Sequence, residues 1–295
     1  MPTVSPKPDH LRRLSDIQAR LVQRAGLFSR IRRYFDENGF IHVETPVRIA
    51  APAPEEFIEA PRSETRFLRC SPELEMKRLV CAGYEKIYQI GPCFRQDEFG
   101  SRHREEFTML EWYETGADYL KLMDFTAAMI NSVLDLPVEK ITVDEAYRKY
   151  AGISAQDAMA RDVFDEVMVE RVEPNLGRNG MTFLMDYPAS RASLARLKAD
   201  DPSVAERWEL YINGLELANA YSELTDAAVQ RERFAAERAA RAASGMADYP
   251  EALEFLESLE CGMPECAGCA LGLDRLVMVC TQANDIGEVT FPAAR

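Results

Sequence analysis

The sequence predicts an α+β domain built on an antiparallel sheet, and three observations lead there. Alternating segments are joined by short turns, of which Asn213-Gly214 between two alternating runs is the sharpest. Helical stripes lie between groups of strands rather than in strict βαβ alternation. No internal repeat and no linker divides the 295 residues, so residues 10–295 are expected to form one domain behind a tail at 1–9.

Residues 10–37 carry Leu11, Leu14, Leu21, Leu27, Phe28, Ile31 and Phe35 at helical spacing, which predicts one long helix. Asn38-Gly39 closes it, as a left-handed cap would. FIHVETPV follows as a strand ending at Pro46, and the prolines of APAPEEF make a loop. FLRC is a short strand. SPELEMKRLV reads as a helix with Ser71 as its cap and Pro72 at the first helical position. KIYQIGPCFRQ and EFTMLEWYE predict two strands around a charged turn. Residues 118–172 look mostly helical, TFLMDYP is a strand, and the Asn213-Gly214 hairpin follows. Helices are expected over 226–244 and 249–260, and ALGLDRLVMVC is a strand running into a helix.

A chain that is 47% apolar and 28% charged has the composition of a globular protein. No apolar run approaches the roughly 18 residues of a membrane span. The amino terminus MPTVSPKPDH lacks a signal peptide's apolar core, so the expected compartment is the cytoplasm. Seven scattered cysteines argue against a disulfide framework. Cys266-Ala-Gly-Cys269 is a CxxC, but only Cys261 lies near enough to help bind zinc, so small packed residues beside Gly268 are the expectation.

Net charge is −14, yet residues 1–35 hold eight Lys or Arg against two Asp, which makes that segment +6 and the remainder −20. An acidic body repels a nucleic-acid backbone. The basic segment is either a solvated helix face or a dock for an acidic partner. Against this background Arg95, Arg102, His103 and Arg104 fall within ten positions.

Strand alternation sorts these residues. Phe107, Met109, Glu111 and Tyr113 share one face, while Leu110 and Trp112 point the other way. A two-residue turn at Asn213-Gly214 pairs Ile212 with Leu215 and Tyr211 with Glu216, which makes Glu209 and Glu216 diagonal neighbours about 7–8 Å apart. Two such carboxylates call for a cation between them, and magnesium completed by phosphate oxygens suits the pair. Asn219, Tyr221 and Glu223 share a face that simple alternation turns away from Glu216, so a bulge is predicted between Glu216 and Asn219. Arg95, Arg102 and Arg275 with a nearby histidine suit a polyphosphate, because a guanidinium binds phosphate bidentately. Neither GxxxxGK[ST] nor GxGxxG is present, which leaves a nucleotide fold on an antiparallel sheet.

Together these residues resemble the catalytic domain of class II aminoacyl-tRNA synthetases, in the lysyl branch. GFIHVETP is similar to that class's first motif, FRQDEFGSRHREEF to its second and GCALGLDRL to its third, over residues 10 to the end. The resemblance implies that sheet flanked by helices, and it implies roles. Arg95 would hold the α-phosphate of ATP and Phe107 would stack on adenine. Asp97 would belong to the same ATP-binding motif, standing where it usually has Glu. Arg102, His103 and Arg275 would reach the outer phosphates, and Glu209 and Glu216 would bind magnesium. Glu73 would meet the substrate amino group near the reacting carboxyl. Glu111, Tyr113, Asn219, Tyr221 and Glu223 would form the lysine pocket, with Glu111 and Glu223 on the side-chain ammonium.

The helix of the first motif begins by residue 10, so no anticodon-reading OB-fold domain is expected. SPE, EFTMLEWY, ELAN, ELTDA and GMPEC look like the stand-alone paralogues of that branch, which modify elongation factor P. The implied chemistry is ATP-dependent activation of lysine or (R)-β-lysine and transfer to a lysine side chain of elongation factor P, with tRNA disfavoured and a homodimer expected. Ala270 stands where lysyl-tRNA synthetases have Gly; its methyl would crowd α-lysine by about 1–3 kcal/mol. Arg104-Glu105 replaces Asn-Pro, Ala220 replaces Gly, Tyr221 replaces Phe, and Ser222 follows the synthetase pattern. A minimal lysyl-tRNA synthetase and a non-catalytic amino-acid or nucleotide-binding regulator are the alternatives.

Overall fold

The computed structural model of the chain describes residues 8–291. The expected tail lies outside the described residues as far as residue 7, and helix already begins at Asp9. Two helices replace the single one expected, α1 (Asp9–Asp16) and α2 (Gln18–Glu37), which meet at Ile17, a buried residue at φ −92°, ψ 0°. Gly39 at φ +79° ends α2, a conformation that only glycine adopts without strain.

The strand expected over 40–47 shrinks to β1 (Ile41–His42). The chain then forms a small three-stranded sheet from β2 (Arg48–Ile49), β3 (Arg62–Ser63) and β4 (Arg66–Leu68). Helix α3 (Glu73–Cys81) starts later than the Ser71-Pro72 signal suggests, with Pro72 at the cap position, while Ser71 Oγ still accepts the Glu73 N–H at 3.0 Å. Strands β5 (Lys86–Phe94) and β6 (Glu106–Thr115) flank the charged turn as expected. Helix α4 (Tyr119–Asn131) is capped by the Asp118 carboxylate.

The region read as helical contains α5 (Val143–Ala151), α6 (Ala155–Ala160) and α7 (Phe164–Val167), but also a strand, β7 (Val138–Thr142). Strand β8 (Met181–Pro188) precedes the hairpin of β9 (Val204–Ile212) and β10 (Leu215–Ser222). Asn213 and Gly214 sit at φ +55° and +69°, the left-handed pair of a type I′ turn. Helices α8 (Ala227–Ala243) and α9 (Leu253–Glu260), strand β11 (Cys266–Gly272) and helix α10 (Leu273–Thr281) complete the order.

Eight strands form the main sheet in the order β1-β5-β6-β11-β10-β9-β8-β7. The pairs at its two edges, β1/β5 and β7/β8, are parallel and all others antiparallel. One face packs on α2, α4 and α10 through Leu110, Trp112, Trp208 and Leu271. Phe35 of α2 anchors this layer, fully buried, stacked on Tyr88 at 4.6 Å and edge-on to Trp112 at 5.4 Å. Burying one such ring stabilises by about 1.5–3 kcal/mol. With one face of the sheet covered by helices, the residues of opposite parity are free to line a cleft.

Candidate active site

That second face carries a cleft of about 370 Å³. Phe107, Met109, Glu111 and Tyr113 line it, whereas Leu110 and Trp112 are in the core, as alternation requires. Register across the sheet assembles the floor in rows. Glu111, Ala270, Asn219 and Glu209 lie side by side on β6, β11, β10 and β9, and Tyr113, Gly268, Tyr221 and Arg207 form the next row. Tyr211 faces Glu216 and Asn219 faces Glu209, so one extra residue, Leu217, is inserted between. This is the bulge that parity demanded, and it turns Asn219, Tyr221 and Glu223 onto the face of Glu216.

One end of the cleft is cationic. Arg275, at the start of α10, donates to the Glu216 carbonyl at 2.9 Å and to the Arg102 carbonyl at 3.3 Å, and its guanidinium meets His103 Nε2 at 2.6 Å. Burial and the Arg275 charge hold His103 below its ordinary pKa, so its ring is neutral at pH 7. The Arg95 guanidinium lies 5.3 Å from the Phe107 ring, and its buried Nε has no partner among the described residues. Glu216 is pushed up to about 7, first by burial and then by the charge of Glu209. Glu209 is itself held by Arg207 at 2.7 Å and the Tyr211 hydroxyl at 2.6 Å. A carboxylate raised by the charge of a second one beside it, as Glu216 is by Glu209, has the chemistry of a divalent-cation site. Among the described residues no group of three or more ligating side chains exists, so other ligands would have to complete the coordination shell.

The other end is a recess of carboxylates. Glu111 is buried, accepting from the Tyr113 hydroxyl at 2.7 Å and the Ser71 hydroxyl at 2.8 Å, and burial together with the nearby Glu73 charge pushes it to about 7. Glu73 accepts from the Tyr221 hydroxyl at 2.7 Å. Lys77, one turn along α3 and only 1% exposed, reaches Glu73 at 2.5 Å and Glu223 at 2.6 Å. Burial alone would discharge Lys77, but the Glu223 and Glu73 carboxylates outweigh it and hold the ammonium charged. Glu223 Oε1 is buried without a hydrogen-bond partner among the described residues. Glu73 and Glu223 thus share one ammonium, with Glu111 close enough to feel its charge. Gly268 forms the floor beneath, where an added Cβ would lie 2.3 Å from Tyr113 and 2.5 Å from Glu223 Oε1.

Every site residue expected from the sequence lines this cleft except Asp97. Asp97 stands at φ +63° in the turn after β5, exposed, with Glu98 lining the cleft instead. The turn rotates it outward while Glu105 accepts its backbone N–H at 3.1 Å. Arg104, where the related motif has Asn, joins Asp285 at 3.3 Å and ties the turn to the carboxyl-terminal segment. Lys77, Arg207, Ser71 and Glu55 were not anticipated. The signal for Lys77 was its position four residues after Glu73, on the face of α3 that buries Leu74 and Val80. Arg207 shares the parity of Glu209. Cys266 and Cys269 lie three apart on a strand, so they enter different core clusters and cannot act as a pair.

The sequence pattern of the class II tRNA synthetases (D, K and N) matches residues 9–295. A relative from Proteus mirabilis (strain HI4320), the elongation factor P–(R)-beta-lysine ligase, is 38% identical over 311 aligned positions, covering 94% of this chain and 96% of that protein.

Proposed function

We propose that this chain, which belongs to the class II tRNA synthetases (D, K and N), activates (R)-β-lysine or lysine with ATP and passes the acyl group to a lysine side chain of elongation factor P. The observation that carries this reading is the carboxylate recess, in which Glu223 keeps a buried oxygen with no hydrogen-bond partner among the described residues, in the same cleft as Glu111. A substrate ammonium satisfies both, and a neutral side chain leaves them buried and uncompensated. Glu73, with Lys77 and the Tyr221 hydroxyl on Oε1, would meet the second amino group at the head of the substrate.

The substrate carboxylate then attacks the α-phosphorus, and pyrophosphate leaves. Arg95 stabilises the charge that develops there, while Arg275, Arg102 and His103 hold the outer phosphates. Phe107 stacks on the base. Asp97 enters only through its turn. Glu209 and Glu216 would hold magnesium, which would neutralise phosphate charge when bound. No side chain becomes a covalent intermediate, so positioning and electrostatics supply the rate. Among the described residues no helix is long and apolar enough to cross a membrane. Leu11, Val22 and Ile41 are exposed on α1, α2 and β1, and a homodimer joined there is part of the proposal, tested by sedimentation.

The test is ATP–pyrophosphate exchange across lysine isomers, followed by transfer to elongation factor P or to tRNA. Exchange with (R)-β-lysine or lysine and labelling of elongation factor P are expected. Absence of exchange, or labelling of tRNA alone, refutes the proposal.

A further inference from the structure

The cleft has a second mouth. A cavity of about 440 Å³ opens beside it, and the two share Glu55, Ile58, Ser193 and Arg207. The wall of this side cavity is largely apolar, with Ala53, Pro54, Leu194, Phe234 and Ala236, and Phe57 is exposed at its rim. Its junction with the cleft is built firmly. Ser193 takes the left-handed conformation at φ +51°, and its carbonyl and that of Ala195 accept from Arg233 at 2.6 and 2.7 Å. Buried Arg241 of α8 donates to the carbonyls of Glu55 and Ile58, each at 2.7 Å, and pairs with Glu59 at 2.8 Å. Gln96 N–H binds the Glu59 carbonyl from the opposite side at 2.8 Å.

The floor leaves an acceptor few routes. Its cationic end is where the triphosphate would lie, and its carboxylate end is closed by Lys77 under α3. The side cavity joins between them. Glu55 stands at that junction, and the cation acting on it most strongly is Arg95, assigned above to the α-phosphate and hence beside the acyl carbon.

Resting on the function proposed above, we infer that the acceptor's lysine arm enters through this second mouth and that Glu55 takes the proton from its nitrogen. In the step, the neutral ε-amine nitrogen forms a C–N bond to the acyl carbon. The bond from that carbon to the phosphate oxygen breaks, and its electron pair leaves on AMP. One N–H proton passes to the Glu55 carboxylate. Methylenes of the arm suit the apolar wall. Burial raises Glu55 to about 7, the range in which a carboxylate works as a base at neutral pH. The charges facing it are Arg95 after β5, Glu73 on α3, Glu237 on α8 and Arg207 on β9, with the Cys70 thiol alongside.

Two variants test this, with transfer measured as single turnover from preformed (R)-β-lysyl adenylate to elongation factor P and compared with ATP–pyrophosphate exchange. Ala236→Trp narrows the second mouth from an exposed helix position, and the ratio of transfer to exchange is expected to fall about 10²-fold. Glu55→Gln is expected to slow transfer about 10²-fold and to remove the inflection near pH 7 from its pH profile, while Glu55→Asp restores that inflection in part. An unchanged ratio in Ala236→Trp, or an inflection that survives in Glu55→Gln, overturns the inference. A wild-type chain that neither exchanges nor transfers overturns the function proposed above instead.

Discussion

Lys77 governs the recess at the level of single residues. Its ammonium offsets one charge among Glu73, Glu111 and Glu223, which leaves two for the two amino groups of the proposed substrate. Lys77→Met should therefore destabilise the chain by about 3–5 kcal/mol in urea unfolding, because it strands buried carboxylates. Adding Glu223→Gln should recover part of that loss. Equal losses in the single and double variants would show that the pair is not coupled. Ala270 acts by shape. It sits between Glu111 and Asn219 in the floor row and lines the cleft, so its methyl narrows the space proposed for the substrate head. Ala270→Gly should raise kcat/KM for α-lysine relative to (R)-β-lysine by about 1–3 kcal/mol, read from exchange rates with each isomer. An unchanged ratio would remove Ala270 from the specificity argument.

At the scale of elements, the bulge at Leu217 decides whether a site exists. Inserting one alanine between Ala218 and Asn219 adds a step beyond the bulge and throws Asn219, Tyr221 and Glu223 to the helix-covered face. The expected outcome is loss of exchange together with a lower midpoint of unfolding, measured by calorimetry. An insertion variant that still exchanges would show that the register is not fixed this way. The bulge was legible in the sequence because five chemistry-bearing residues could not otherwise share a pocket. Other elements were not legible, for physical reasons. β7 reads as polar because it is an edge strand whose Val138, Glu139 and Lys140 are all exposed, so no alternation of burial marks it. The strand expected over 40–47 is cut short because the chain leaves the sheet edge after His42. Lys77 was hidden because the acid that buries it, Glu223, lies on a distant segment, and Asp97 was misplaced because one left-handed residue turns it outward.

For the whole molecule, charge is the organising quantity. The basic first segment is partly spent on the protein itself. Arg20 pairs with Glu288 at 2.8 Å, and Arg24 pairs with Asp274, whose other oxygen accepts the Thr108 N–H at 2.7 Å. The first helices therefore brace the residue next to Arg275. Within the acidic body, the recess stores repulsion that depends on pH. Glu111 rises to about 7 and Glu223 to about 8 in the fold, against about 4.3 for a glutamate in an unfolded chain. A carboxyl whose folded pKa is raised stays protonated in the fold where the unfolded chain has released its proton, so its contribution is lost as pH rises through the folded value. The unliganded chain should then lose stability from about pH 4.3 until pH passes about 8, as Glu55 and Glu216 titrate together with these two groups. Binding of (R)-β-lysine places an ammonium against them and favours their charged forms, so the decline should flatten when the substrate is present. Thermal midpoints at pH 6, 7 and 8.5, with and without (R)-β-lysine, measure this directly. A decline that substrate leaves untouched would mean that the ammonium does not sit between Glu111 and Glu223.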